Sequence, residues 1–182
     1  MNNPFKKSYT PKEINLFRFL SKVKVFDKLS YKEMAYFLPY LYLREYTNNE
    51  AVFLRGDPSN AVYLVKSGKI SLNIDIRDKL ELLRLVRSGE AFGTNALVES
   101  SHRIFNAIVD SESAELYVIP KVNIFEIFKD HENVKAKMLS SLTEIYDQVT
   151  VNLFKSYKSS IGFFNLAQIF AQISENEDPL SL

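Results

Sequence analysis

Two glycines and an arginine near the middle of the chain have the residue types and the spacing to bind an anion. Gly89 and Gly93 flank Phe92. Backbone N–H groups at the start of a short helix after Gly93 can point at a phosphate, and the helix dipole favours its negative charge. Arg103, ten residues after Gly93, can add a charge-assisted, bidentate contact to the same group. The alternative for Arg103 is a surface ion pair next to Glu99.

These residues lie among short runs that have the pattern of β-strands. From Tyr46 the period of the apolar residues changes to two, most clearly from Ile70 to Ile76, which predicts a half-buried strand. Further strands are predicted at residues 51–54, 61–65, 80–86, 104–109 and 114–119. Turn signals such as Gly56-Asp57-Pro58 and Ser67-Gly68 separate the runs. Short strands and turns that alternate in this way predict a sandwich or barrel rather than a parallel α/β sheet.

Apolar residues with helical spacing precede the strands. They recur every three or four positions over residues 11–43. Ser30 is a good N-cap, and Glu33 completes a capping box, so a second short helix is expected to begin at about Tyr31. Pro39 is expected to disturb its last turn.

Helical spacing also follows the strands, which Pro120 ends. A short helix is expected before Asp130, and a longer one continues to about Ser159. The longer helix carries an apolar stripe of Leu139, Leu142, Tyr146, Val149, Leu153 and Tyr157. Residues 163–173 predict a further helix, and residues 174–182 a loose tail.

Composition restricts the function only loosely. With 23 basic and 22 acidic residues the net charge is +1, which gives no reason to expect nucleic acid or an anionic membrane as the main partner. The chain has no cysteine, so disulfides and zinc–thiolate sites are excluded and a cytoplasmic location is expected. It has no apolar run of membrane-spanning length and no signal-peptide pattern. The lysine-rich N-terminus lacks the apolar face of an interfacial helix.

The order of these features resembles the cyclic-nucleotide-binding domains of catabolite activator protein and of the protein kinase A regulatory subunits. The resemblance runs from about Phe26 to Tyr157 and consists of a helix, a β-roll, a Gly-Glu-x-Phe-Gly turn, an arginine and a final long helix. Each piece alone is weak, but the ordered set is specific. The pieces are Tyr46, Asn49-Glu50 where the family commonly has Gly-Glu, Gly56-Asp57, Val62-Tyr63-Leu64-Val65 leading to Gly68, and the cassette of residues 89–106.

The resemblance implies an α+β fold, in which an antiparallel jelly-roll β-barrel is flanked by N-terminal helices and a long C-terminal helix. It also implies that the cassette binds the phosphate of a ligand such as cAMP or cGMP. The ligand-binding residues expected on this basis are Gly93, Thr94, Asn95, Ala96, Leu97, Arg103, Phe105 and Asn106. No other cofactor and no metal is expected.

Several cassette positions depart from the family pattern. Thr94 stands where the family has a glutamate for the ribose hydroxyl, and it lacks the charge that makes such a contact worth about 1.5 to 3 kcal/mol. His102 replaces a proline before the arginine. Phe105 lies on the same face of the expected strand as Arg103 and can fill the space of a purine. Asn106 can touch a base or phosphate, or be an ordinary polar strand residue.

Three interpretations therefore stay open at this point. The cassette is a weakened nucleotide site, a site for a different anionic ligand, or part of a scaffold that only presents the helices. An enzyme is not expected, because the chain shows no nucleophile–base pair and no metal-binding or phosphate-loop motif. Direct DNA binding is not expected either, because too few residues follow Tyr157 for a winged helix-turn-helix. The initial methionine and the loose acidic tail fit the expectation of a complete protein.

The resemblance further implies how the domain signals. Its parts are expected to be the N-terminal helices (1–45), the β-roll (46–120), and the hinge helix, long helix and tail (121–182). In the family, ligand in the cassette moves the hinge helix and the long helix. The far half of the long helix needs a partner, so a symmetric homodimer is expected, and the helix at residues 163–173 can dock an effector protein.

Overall fold

Two four-stranded antiparallel sheets position the cassette. The structure is a computed structural model that describes residues 9–76 and 79–159. The strands are β1 (Tyr42–Thr47), β2 (Ala51–Phe53), β3 (Ala61–Ser67), β4 (Lys69–Ile76), β5 (Lys79–Arg87), β6 (Ala91–Phe92), β7 (Asn106–Val109) and β8 (Ser113–Pro120). One sheet has the order β1-β8-β3-β6 and the other β2-β7-β4-β5. These sheets, with helices before and after them, confirm the predicted fold class.

The core consists of apolar side chains from both sheets. Phe53 of β2 and Ile70 of β4 pack in one buried cluster with Val65 of β3 and Leu116 of β8. Burying a side chain of this size stabilises the fold by about 1.5 to 3 kcal/mol. The cluster holds the two sheets together and so fixes the positions of the turns at the ends of their strands.

The N-terminal helices begin at side-chain caps. Helix α1 is Pro11–Leu20, and Thr10 forms a capping box with Glu13. Helix α2 is Tyr31–Met34, and Ser30 and Glu33 form the predicted box. A 3-10 turn at Lys24–Phe26 lies between the two helices, and α2 passes into a 3-10 turn at Ala35–Tyr40 that contains Pro39. The proline lacks the N–H that a continuing α-helix would need.

Two helices follow the sheets. Helix α3 is Lys121–Asp130 and helix α4 is Glu132–Ser159, so the predicted short and long helices are both present. The chain forms two compact units that divide between Leu142 and Thr143, inside α4. None of the helices in the described ranges is long and apolar enough to cross a membrane. The predicted helix at 163–173 and the tail lie outside the described residues.

The start of α4 is held by polar contacts to the N-terminal helices. Lys137 Nζ lies 2.8 Å from both carboxylate oxygens of Glu33. Ser141 Oγ donates to Asp27 Oδ1 at 2.8 Å. Apolar side chains of the same stretch are buried, namely Val134, Met138 and Leu142. The first part of α4 therefore belongs to the unit that contains the sheets.

Some strands differ from the prediction. Strand β1 begins at Tyr42 rather than Tyr46, and most of it is exposed at a sheet edge, so its sequence does not alternate. Strand β6 has two residues, too few for a periodic signal. The interior polar positions of β4, Ser71 and Asn73, are buried rather than exposed, because Asn73 Nδ2 donates to Ser71 Oγ at 2.9 Å and Ser71 Oγ donates to Ile108 O.

Candidate functional site

Arg103 is held by its backbone in an irregular segment. Its N–H donates to Asp57 O at 2.8 Å, and its carbonyl accepts from Gly56 N at 2.8 Å. The prediction that Arg103 lies on a strand is wrong, because β7 begins only at Asn106. Pro58, which lacks an N–H, interrupts the ladder here and forms an isolated bridge with His102.

The guanidinium of Arg103 is buried and bonded to uncharged oxygens. Nη1 donates to Gly93 O at 3.0 Å and to Asn95 Oδ1 at 3.1 Å, and Nη2 donates to Ala61 O at 2.7 Å. The guanidinium carbon lies 4.1 Å from the centroid of the Phe53 ring. Nε is buried and has no hydrogen-bond partner among the described residues.

No carboxylate of the described residues forms an ion pair with Arg103. The side chain is 1% exposed, so the surface ion pair with Glu99 is wrong. Burial lowers the pKa of Arg103, and Tyr63 and the nearby Asp57 partly oppose this effect. The Asp57 carboxylate instead accepts a hydrogen bond from Leu54 N at 2.9 Å. A buried guanidinium surrounded by neutral acceptors is an incomplete electrostatic arrangement.

The turn after Gly93 brings the cassette backbone to Arg103. Gly93 has a φ of +66° and precedes a 3-10 turn at Thr94–Leu97, which is the short helix that the sequence predicts there. A Cβ on Gly93 would lie 2.6 Å from Arg103 Nη1, so only glycine leaves room for the guanidinium. Within this turn Thr94 and Asn95 are half-buried, whereas Ala96 and Leu97 are buried. The first N–H groups of such a turn have no acceptor within it.

Two aromatic rings lie beside the guanidinium carbon, Phe53 with its centroid at 4.1 Å and Tyr63 with its centroid at 5.6 Å. Phe53 lies with its ring centroid 5.7 Å from Tyr63, 5.8 Å from Phe92 and 5.9 Å from Phe105. Phe105 and Arg103 thus both contact Phe53. They do not share the face of a strand as predicted, because both precede β7. The rings give the site an apolar wall, and such a wall strengthens any charge contact that forms there.

Asn106 belongs to a separate polar cluster. Its Oδ1 accepts from Arg55 N at 2.9 Å, and its Nδ2 donates to Asp75 Oδ1. Arg55 Nε lies 3.4 Å from Asp75 Oδ2. The structure therefore brings together Gly93, Asn95, Arg103 and, through Phe53, Phe105, while the Asn106 amide is bonded elsewhere.

The sequence did not indicate Ala61, Phe53 or the Arg55–Asp75 pair as parts of this region. Ala61 contributes only its backbone oxygen, which no side-chain pattern can reveal, and it is 42 residues from Arg103. The backbone of Asn49, by contrast, accounts for a departure that the sequence did show, namely Asn49 where the family commonly has glycine. Its φ is +62°, a conformation that glycine adopts freely and asparagine tolerates.

Two cavities lie away from Arg103. One of about 510 Å³ is lined by Glu33, Tyr36 and His131 among others, where the Tyr36 and His131 rings stack at 3.8 Å. The second, of about 350 Å³, is lined by residues that include Tyr46 and Glu115. Within the described ranges no three histidine or carboxylate side chains are grouped to hold a metal ion.

Known proteins share this domain. Residues 43–131 match the family model of the cyclic nucleotide-binding domain. A cGMP-dependent protein kinase of Caenorhabditis elegans, egl-4, is 23% identical over 122 residues, which are 66% of this chain and 16% of that protein. The cyclic AMP receptor protein of Thermus thermophilus is 31% identical over 96 residues, 51% of this chain and 44% of that protein. The chain thus spans less than half the length of these curated relatives.

A solved structure shows the same fold. The co-crystal structure of the regulatory domain of Toxoplasma gondii PKA with cAMP aligns with a TM-score of 0.61 at 21% identity, over 68% of this chain and 47% of that chain. The sheets, the Gly93 turn and the buried Arg103 lie in or beside the matched residues. Residues 43–131 therefore form a domain of the cyclic nucleotide-binding domain family.

Proposed function

We propose that this domain binds the phosphate of a cyclic nucleotide, or of a related anionic ligand, at Arg103 and the turn after Gly93. The observation that supports the proposal best is the buried guanidinium, which has neutral acceptors and an Nε without a hydrogen-bond partner in the described part of the chain. Transferring a charge from water into a protein interior costs several kcal/mol unless an opposite charge compensates it. A phosphate would supply that charge and an acceptor for Nε.

Binding is expected to be weak. Thr94 stands where the resemblance implies a glutamate for the ribose, and a hydroxyl forms a weaker contact than a carboxylate. Phe105 already packs on Phe53, so a purine would have to stack beside these rings or displace one of them. The proposal therefore assigns the phosphate contact to Arg103 and leaves the base with few polar partners.

Helices α3 and α4 are the proposed output of the domain. Lys121 is the first residue of α3, and its backbone N–H donates to Asn60 O at 2.8 Å. Asn60 precedes Ala61, whose oxygen accepts from Arg103. The Lys121 Nζ donates to Val98 O at 2.7 Å, just after the cassette turn. A shift of Arg103 or of the turn would therefore reach α3 at Lys121, its first residue.

The second part of α4 is the proposed homodimer surface. Large side chains exposed between residues 143 and 156 are Tyr146, Val149, Val151, Leu153 and Phe154. Val149 and Leu153 are one turn apart and are 57% and 56% exposed, so pairing with a second copy would bury them.

The lack of cysteine is compatible with action in the cytoplasm, where we place the protein in this proposal.

Light scattering of the purified protein tests the dimer. The wild-type mass is expected to be that of two chains, and replacing both Val149 and Leu153 by glutamate is expected to halve it. Val122→Glu is the control, because Val122 on α3 is 74% exposed and should leave the mass unchanged. A wild-type protein that is monomeric at every concentration would refute the homodimer.

One observation favours a second candidate function, a scaffold that presents the helices without a ligand. Arg103 already donates to Gly93, Asn95 and Ala61, and the rings of Phe53 and Tyr63 lie beside its guanidinium. In that case the guanidinium would only join the cassette turn to β3. The two functions differ in whether an added anion reaches Arg103.

Calorimetric titration with cAMP and with cGMP decides between them. The wild-type protein is expected to bind at least one of the two, and Arg103→Lys is expected to weaken binding about 10- to 100-fold, because lysine keeps the charge but loses the guanidinium fork. Arg55→Lys is the matched control and should bind like the wild type. No heat and no thermal shift at millimolar nucleotide would refute the nucleotide proposal and favour the scaffold.

A further inference from the structure

Asn95 connects the side chain of Arg103 with the backbone that precedes it. Its Oδ1 accepts from Arg103 Nη1 at 3.1 Å, and its Nδ2 donates to His102 O at 2.6 Å. The carbonyl of Asn95 also accepts from Ser101 Oγ at 2.7 Å. One residue of the cassette turn thus holds the segment at 101–103 by both its backbone and its side chain.

The two ends of the Asn95 amide have different tasks. The Arg103 guanidinium needs an acceptor and the His102 carbonyl needs a donor, and an amide supplies both. A carboxylate would lose the hydrogen bond to His102 and oppose that carbonyl. It would also neutralise the guanidinium, which the neutral amide leaves uncompensated. Asparagine therefore fixes Arg103 without taking the place of an anionic ligand.

We propose that Asn95 is a positioning residue for anion binding: its side-chain amide fixes Arg103 Nη1 and leaves the charge and the unpartnered Nε of Arg103 available to the ligand. This inference rests on the proposed function and adds a residue that acts through Arg103. It differs from the role that the sequence suggested for Asn95, which was a backbone N–H at the start of the turn.

Two substitutions at Asn95 separate positioning from charge. Asn95→Ala removes the acceptor for Arg103, so the guanidinium gains freedom that ligand binding must again remove, and cAMP affinity is expected to fall about fivefold. Asn95→Asp keeps the shape but supplies a competing anion, so affinity is expected to fall further, about 30-fold. Asn48→Asp is the control, because the Asn48 amide also donates to a carbonyl, that of Ser111, at 3.0 Å.

The test is calorimetric titration of these variants and the wild type with cAMP and cGMP at several salt concentrations. Arg103 stays charged and available in Asn95→Ala, so its affinity should keep the wild-type salt dependence. Asn95→Asp should show a weaker salt dependence, because its site is already neutral, whereas a merely structural role would leave that dependence unchanged. The Asn48→Asp control should bind like the wild type within about twofold.

The outcomes separate this inference from the proposed function. If the wild type binds and both Asn95 variants bind as tightly as the wild type, the inference is overturned and the proposed function stands. Equal losses in the two variants with unchanged salt dependence would also overturn it, since Asn95 would then only support the fold. If the wild type binds neither nucleotide, the proposed function fails, and the inference fails with it.

Discussion

Arg103 in the cassette and Arg55 beside it differ in how their charges are compensated. Arg55 is partly exposed, and its Nε faces the carboxylate of Asp75 at 3.4 Å. Arg103 is 1% exposed, and among the described residues its guanidinium donates to the neutral oxygens of Gly93, Asn95 and Ala61. A buried ion needs an opposite charge more than an exposed ion does, so stability alone would favour the reverse arrangement. The difference teaches that a buried charge without a partner marks a candidate ligand site better than a charged surface does.

The largest expected effect comes from filling the space beside Arg103. Gly93→Ala would place a Cβ 2.6 Å from Nη1 at a positive φ, so the guanidinium must move. We expect the free energy of unfolding to fall by about 2 to 4 kcal/mol from the backbone strain and the overpacking together. Nucleotide binding should fall below detection. Urea unfolding and calorimetric titration measure the two effects.

Gly89→Ala is the control for that substitution. Gly89 has a φ of +85°, but nothing lies within 4 Å of its added Cβ. It should lose only about 1 to 2 kcal/mol from backbone strain, and it should keep binding. Equal effects of the two variants on binding would show that the space at Gly93 has no special relation to Arg103.

A smaller effect is expected where the cassette contacts α3. Lys121→Met removes the hydrogen bond to Val98 O but keeps an apolar stem of similar length. It should lower stability by about 1 kcal/mol. It should also reduce the ligand-dependent change in hydrogen exchange of α4. Lys129→Met, on the same helix, is the control, and an unchanged response in Lys121→Met would contradict the proposed route through this residue.

In the ion pair of Glu33 and Lys137 the protein itself provides the opposite charge, and this pair makes the stability of the fold depend on pH. Burial raises the pKa of Glu33, but the hydrogen bonds from Lys137 and Ser30 outweigh it, and the pKa lies below its ordinary 4.5. Its stabilisation is therefore complete above pH 4.5 and is lost as the pH falls through the lower folded-state pKa. Glu33→Gln should unfold more easily than wild type by about 1 kcal/mol at pH 7.

Thermal unfolding at several pH values checks this prediction. The gap between wild type and Glu33→Gln should shrink as the solution is acidified below pH 4.5. If the difference in melting temperature between the two proteins stays constant until both unfold in acid, the carboxylate charge of Glu33 contributes nothing to stability.

The smallest effect is expected at the compensated arginine. Asp75→Asn removes the charge opposite Arg55, and both side chains are partly exposed, so stability should change by about 0.5 kcal/mol or less. Nucleotide affinity should stay the same within about twofold, because the cluster lies outside the proposed site. If Asp75→Asn unfolds in urea like the wild type but loses much of its nucleotide affinity in a calorimetric titration, Asp75 is part of the site. That result would weaken the comparison between Arg55 and Arg103.

Local patterns predicted much of this fold. Alternation and turn residues indicated β3, β5 and β8, and the box of Ser30 and Glu33 indicated α2. The spacing of Gly93 and Arg103 indicated the cassette. These features depend on a few neighbouring residues, so a single sequence contains them. The sequence predicts the start of β1 at Tyr46 instead of Tyr42, because the strand lies at a sheet edge and its exposure removes the alternation that reveals a strand.

The chemistry of the site was less accessible. Arg103 is bonded to Ala61 O, a backbone group on a distant strand, and its burial depends on how both sheets pack. The Asn95 amide and the Arg55–Asp75 pair likewise depend on contacts across the fold. The sequence could therefore indicate candidate anion-binding residues, but not that Arg103 has no carboxylate partner among the residues that the structure describes.

The most direct test of the central claim observes Arg103 Nε itself. A proton–nitrogen NMR spectrum of the arginine Nε–H groups, with Arg103→Lys to assign the signal, would be recorded while cAMP or cGMP is added. The Arg103 signal should shift strongly and exchange more slowly with water as Nε gains a phosphate acceptor, while the Arg55 signal stays in place. Saturated binding with an unchanged Arg103 signal would contradict the claim that its unpartnered charge is the ligand site.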